Sequence, residues 1–110
     1  MSRINVIINE EHSLMEEQQQ LIQALGEIHR VNIPAQGCSL KDLKEIAAQL
    51  IQEGNPVVVV SPIPVLLGLL SASNVPTIVT HNDHRQKKEL PNGKILSVVA
   101  ETGWELVRVN

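Results

Sequence analysis

Phenylalanine and tyrosine are absent from this chain of 110 residues, and Trp104 is its only aromatic side chain. Modules that bind single-stranded DNA or RNA stack bases on aromatic platforms, so that class is disfavoured. The formal net charge of -3 also speaks against a surface that tracks a phosphate backbone, though a local basic patch for a small anion remains compatible with it. Cys38 is the only cysteine. That excludes an intramolecular disulfide and a cysteine-rich zinc site, and suits a reducing compartment. The start Met1-Ser2-Arg3 enters a short strand-like run without a signal peptide's apolar core, and no apolar stretch is long enough to span a bilayer. A cytoplasmic protein is expected. The glycine-rich dinucleotide and phosphate loops, the G-x-S-x-G elbow and the C-x-x-C pair are all missing, which moves dinucleotide and nucleoside-triphosphate enzymes down the order. No internal repeat, low-complexity stretch or linker divides the chain, and its length suits a single domain over 1–110.

What is present is β-branched and aliphatic. Four valines, Val57 to Val60, are bounded by Gly54-Asn55-Pro56 and by Ser61-Pro62-Ile63-Pro64. This reads as a strand covered on both faces that breaks into a buried apolar helix running through Leu70. Ser61 is placed to cap that helix, with Pro62 at its first position. Ile4 to Ile8 reads as an opening strand. Ser13 and Glu16 have the spacing of a capping box, and Leu14, Leu21, Ile22 and Leu25 form a thin apolar stripe that Gly26 ends. Ile28 to Ile33 alternates before Pro34 and suggests a strand near a sheet edge. Ser39 caps the clearest helix, with Leu40, Leu43, Ile46, Ala47, Leu50 and Ile51 in helical spacing and Gly54 as its stop. Val75 to Thr80 supplies a fourth strand.

Strands and helices therefore alternate, which implies a mainly parallel sheet with helices on both faces. The tail changes style. Arg85 to Leu90, the turn Pro91-Asn92-Gly93-Lys94 and Ile95 to Ala100 read as a hairpin with a type I′ Asn-Gly turn. A second turn at Glu101-Thr102-Gly103 returns Trp104 to Val109, so an antiparallel β-meander is expected beside the parallel core.

In open parallel sheets, ligands bind outside the carboxyl ends of the strands, in the crevice where neighbouring strands send their helices to opposite faces. With strands one and three adjacent, Asn9, His12 and Ser13 face the Ser61-Pro62-Ile63 junction across that crevice. Asn9 can equally serve only as a turn former and Ser13 only as a cap. At the same rim, strand four ends in Thr80-His81-Asn82-Asp83-His84-Arg85-Gln86-Lys87-Lys88, the densest polar and basic stretch of the chain. A phosphate suits it: Arg85 offers a bidentate contact, Lys87 and Lys88 point charges, and His81 or His84 a donor or proton carrier. The competing reading is a solvated loop whose lysines guard an exposed hairpin edge. Metal binding by His81, Asp83 and His84 lacks a supporting ligand cluster elsewhere, and no cofactor is implied. Ser61 as a nucleophile is weakened by Pro62, which removes an N–H from any oxyanion hole. Cys38, in a loop before a helix, reads as incidental beside these groups.

The opening strand with Asn9-Glu10-Glu11-His12-Ser13-Leu14-Met15-Glu16-Glu17-Gln18 resembles the strand, His-Ser turn and Glu-Gln helix start of small CRISPR-associated accessory proteins of type III loci. The junction at Ser61, the strand Val75-Pro76-Thr77-Ile78-Val79-Thr80 with Arg85, and the closing hairpin are similar too. The resemblance implies a CRISPR-associated Rossmann-like (CARF-like) fold and a role in antiviral signalling through cyclic oligoadenylates. Members either cleave these rings, as metal-independent ring nucleases, or sequester them; the alternatives for this chain are a non-catalytic sponge or sensor and a dimeric interaction module without a nucleotide ligand. It further implies a homodimer, since a ring with rotational symmetry is naturally held across a two-fold axis. On that reading His81 or His84 acts as general acid or base and Arg85 holds the phosphate, while Asn9, His12, Ser13, Ser61, Pro62, Ile63, Thr80, Asn82 and Lys87 line the ligand rim. The junction lacks the glycine or basic residue that relatives carry there.

Overall fold

The computed structural model describes residues 2–61, 63–82, 85–99 and 101–110. Among the described residues strands and helices alternate at first: β1 (Arg3–Asn9), α1 (Glu16–Gln23), β2 (Glu27–Ile33), α2 (Leu40–Glu53), β3 (Val57–Val59), α3 (Pro64–Ser71) and β4 (Thr77–His81). Then come β5 (Arg85–Glu89), β6 (Ile95–Val99) and β7 (Glu105–Arg108). The main sheet has the order β2-β1-β3-β4-β7. Its first four strands are parallel, with Asn5 of β1 opposite both His29 of β2 and Val57 of β3, and Val59 of β3 opposite Val79 of β4. As the alternation in the sequence predicts, β2 forms an edge.

The strand pleat sorts side chains onto two faces. On one, Ile7, Ile33, Val57 and Val59 pack with Leu43, Ala47 and Leu50 of α2 and with Leu66 and Leu70 of α3. On the other, Ile4, Val6 and Val58 lie beneath Ile22 of α1. Hence α1 covers one face and α2 with α3 the other. The chain moves from β1 outward to β2, then back across to β3, and right-handed crossovers in opposite directions must use opposite faces. β1 and β3 are thus the point where the winding reverses.

Several local expectations need correction. Helix α3 begins at Pro64 with Ile63 as its N-cap, so Ser61 caps nothing; its oxygen has another partner, described below. Nor is α3 buried all round: Val65 and Leu69 are exposed, at 44% and 36%. Helix α1 is capped at Met15, whose N–H donates to Gln18 Oε1 at 2.9 Å, and Ser13 is an exposed loop residue. The buried Gln18 fills the inward position that the thin apolar stripe leaves open. Gly26 lies beyond the end of α1, and its role is spacing: a Cβ there would sit 2.2 Å from the Ser2 carbonyl oxygen.

At α2, by contrast, Ser39 Oγ accepts the Asp42 N–H at 3.1 Å, and Gly54, at φ 75°, donates its N–H to the Leu50 carbonyl. Both ends are as the sequence predicts.

The expected meander is a hairpin plus a separate edge strand. β5 and β6 pair with each other as a two-stranded ribbon, whereas β7 pairs antiparallel with β4, Val79 opposite Val107. β4 would otherwise present an open edge. The ribbon's turn also differs from type I′, which needs positive φ at two successive residues. Only Gly93 has it, at 82°, and the Gly93 N–H donates to the Leu90 carbonyl around Pro91-Asn92. No described helix is long and apolar enough to cross a membrane.

Candidate functional site

At the carboxyl ends of β1, β2 and β3 the described residues enclose a pocket of about 280 Å³ lined by Asn9, His12, Ile33, Pro34, Ala35, Gly37, Cys38, Leu43, Ser61 and Ile63. It lies on the face covered by α2 and α3. Four side chains singled out in the sequence, Asn9, His12, Ser61 and Ile63, meet there. The lining is mainly apolar with a few convergent polar groups, which is the usual make-up of a small-molecule site.

Hydrogen bonds set the mouth of this pocket from three sides. Ser61 is buried, and its Oγ accepts the Asn9 backbone N–H at 2.8 Å, spanning the reversal point between β1 and β3. The Val60 and Ser61 N–H groups both reach the Ile7 carbonyl, at 2.9 and 3.4 Å. Ser61 is therefore a clamp on the backbone rather than a free hydroxyl at a helix start.

Asn9 turns the following loop: its Oδ1 accepts the Glu11 N–H at 2.9 Å, and its carbonyl accepts the His12 N–H at 2.9 Å. From the neighbouring edge strand, the Arg30 guanidinium donates to the carbonyls of Asn9 and His12. Glu10 fixes the far side, its Oε1 accepting the Ala35 N–H at 3.0 Å. Arg30 was invisible as a site residue in the sequence, because an arginine on an alternating edge strand reads as a solvated face. Cys38, set aside there, lines the pocket because Gly37, at φ 106°, turns the chain just ahead of α2.

The remaining candidates whose side chains are described do not line this pocket. Ser13 does not line it. Thr80 is half-buried on the α1 face, its Oγ1 accepting from Gln18 Nε2 at 3.5 Å. The pairing of Val59 with Val79 carries His81 to the level of Ser61, one strand over, but His81 is exposed and outside the lining. Asn82 Nδ2 donates to the Thr102 carbonyl at 2.9 Å, holding the loop before β7. Arg85 begins β5, and Lys87 is exposed on the ribbon. Pro62 and His84, and Asp83 of the metal reading, lie outside the described residues. Of the acid, base and phosphate-holding groups expected at one rim, His81 and Lys87 are thus the side chains described, and both lie outside this lining.

Comparison of the chain with protein-family models, with curated proteins and with solved structures finds no match.

Proposed function

We propose that this chain is a small-molecule-binding domain that takes part of a cyclic oligoadenylate into the crevice over β1 and β3, acting by sequestration or sensing. The observation that carries the reading is the convergence of Asn9, His12, Ser61 and Ile63 on one pocket at the reversal point of the sheet. At about 280 Å³ it lies just under the range of about 300–1,000 Å³ usual for ligand pockets. One nucleotide-sized unit of a larger ring suits it. The rest of the ring would extend to a second copy across a two-fold axis, and the exposed Val65 and Leu69 on α3, next to the crevice, offer an apolar surface for that copy.

Sequestration is favoured over cleavage because His81, the candidate acid or base among the described residues, stands outside the pocket. Ring cleavage is the second reading, favoured by the register that brings His81 level with Ser61.

Calorimetry with cyclic tetra- and hexa-adenylate, paired with chromatography of the nucleotides afterwards, tests both. Sequestration predicts binding of one ring per two chains with the ring recovered intact, and loss of binding in Ile63→Trp, which fills the pocket. Linear adenylates that appear with the wild type and vanish with His81→Ala would establish cleavage instead. No binding of either ring would overturn the proposal.

A further inference from the structure

A second cavity, about 190 Å³, lies at the opposite end of the sheet, between the start of β1 and the last two turns of α2. Its floor is Arg3 and Asn5 of β1 with His29 of β2, which sits directly beside Asn5 in the parallel register. Its roof includes Gln49 and Glu53 of α2. Nothing in the crevice reading uses these groups.

Asn5 is completely buried in the middle of a strand whose other inward residues are aliphatic. Its Nδ2 donates to Glu53 Oε2 at 3.1 Å, which fixes the amide and leaves Oδ1 as an acceptor without a partner among the described residues. Buried polar atoms are nearly always satisfied, so an orphan acceptor on a residue that lines a cavity marks a place for a donor. The Arg3, His29 and Gln49 side chains likewise make no hydrogen bond or ion pair with any described residue. The cavity therefore offers an acceptor and a carboxylate at one end and, around it, the Arg3, His29 and Gln49 groups, which have no partner among the described residues.

The helix sharpens the choice of ligand. Glu53 closes α2, and no basic residue occupies the last turn. A helix carboxyl end carries partial negative charge that favours a cation and disfavours a carboxylate such as Glu53. An ammonium placed between Asn5 Oδ1 and Glu53 would satisfy the orphan acceptor, pair the carboxylate and complement the helix end together. The Arg3 guanidinium would then take an anionic group on the same molecule. The small volume restricts the occupant to few heavy atoms.

We propose that this cavity binds a small zwitterion of the α-amino acid class, its ammonium held by Asn5 and Glu53 and its carboxylate by Arg3.

The test is two-dimensional amide NMR of the full chain titrated with L-alanine, with methylammonium and acetate as the single-charge controls. Alanine is expected to shift amides of residues 3–5, 29–31 and 46–53, with each control binding more weakly. Asn5→Leu and Arg3→Gln should each weaken alanine about tenfold, the scale of losing a hydrogen bond to a charged group. Arg3 is exposed, so Arg3→Gln decides the matter if Asn5→Leu fails to fold. Absence of localised shifts with alanine, or equal affinity for methylammonium, or unchanged alanine binding in Arg3→Gln, would overturn the proposal. None of these outcomes bears on cyclic adenylate binding at the far crevice.

Discussion

Two residues that look alike in the sequence do opposite things. Gly54 ends a helix because it adopts a positive φ, whereas Gly26 is required for room alone. A side chain at position 26 would press on the Ser2 carbonyl, which accepts the Glu27 N–H at 2.7 Å and seats the start of β1. Gly26→Ala should therefore cost about 1–3 kcal/mol through forced backbone displacement, seen as a lower denaturation midpoint in urea. Ser61 shows the same dependence on a neighbour that lies far off in sequence. Removing its hydroxyl leaves the Asn9 N–H without its acceptor, and Ser61→Ala should lose about 1–3 kcal/mol by the same measurement. Its partner lies 52 positions away, which is why a local pattern assigned the hydroxyl to the nearest helix.

At the scale of elements, the sequence was legible wherever one segment carries its own instructions. The apolar spacing of α2 with Ser39 before it and Gly54 after it, and the valine run of β3, are complete local signals. α1 was less readable because its inward side includes Gln18, a polar residue that satisfies Met15 from within and so disguises both the cap and the buried face. Substituting the two serines separates a real cap from an apparent one. Ser39→Ala should lower stability by about 1 kcal/mol, while Ser13→Ala should stay within about 0.5 kcal/mol of the wild type, both read from thermal melts. The site was legible in its strand-end positions, Asn9 and Ser61, because the βα alternation fixes which ends of the strands gather. It was illegible in Cys38 and Arg30, which enter through a glycine turn and a reach across strands. The placement of β7 was hidden for a related reason: a hairpin's turn residues specify its own two strands and say nothing about where the next strand docks.

Across the whole molecule, the radius of gyration is 15.3 Å and the extents are 50 × 31 × 21 Å, against about 13 Å expected for a compact chain of this length. A ribbon outside the main sheet accords with that elongation. Beyond its ladder with β4, the antiparallel edge is tied to the rest by individual side chains. Glu17 of α1 accepts the N–H groups of Gly103 and Trp104 through Oε1, at 2.9 and 2.7 Å, and Asn110 Nδ2 donates to the Val75 carbonyl at 2.7 Å. Glu17→Ala should loosen β7 from α1, and because Trp104 is the only tryptophan, its emission should shift to longer wavelength while far-ultraviolet dichroism is kept. The grip of Arg30 on the Asn9 and His12 carbonyls has a kinetic counterpart. An edge strand ordinarily frays by itself, but here β2 cannot peel away without releasing the loop that borders the crevice, so the two open as one cooperative unit. An occupant of the crevice should therefore slow deuterium uptake along Glu27–Ile33 as well as at the loop, and Arg30→Ala should uncouple the two, leaving the strand to exchange at the same rate whether or not the crevice is filled.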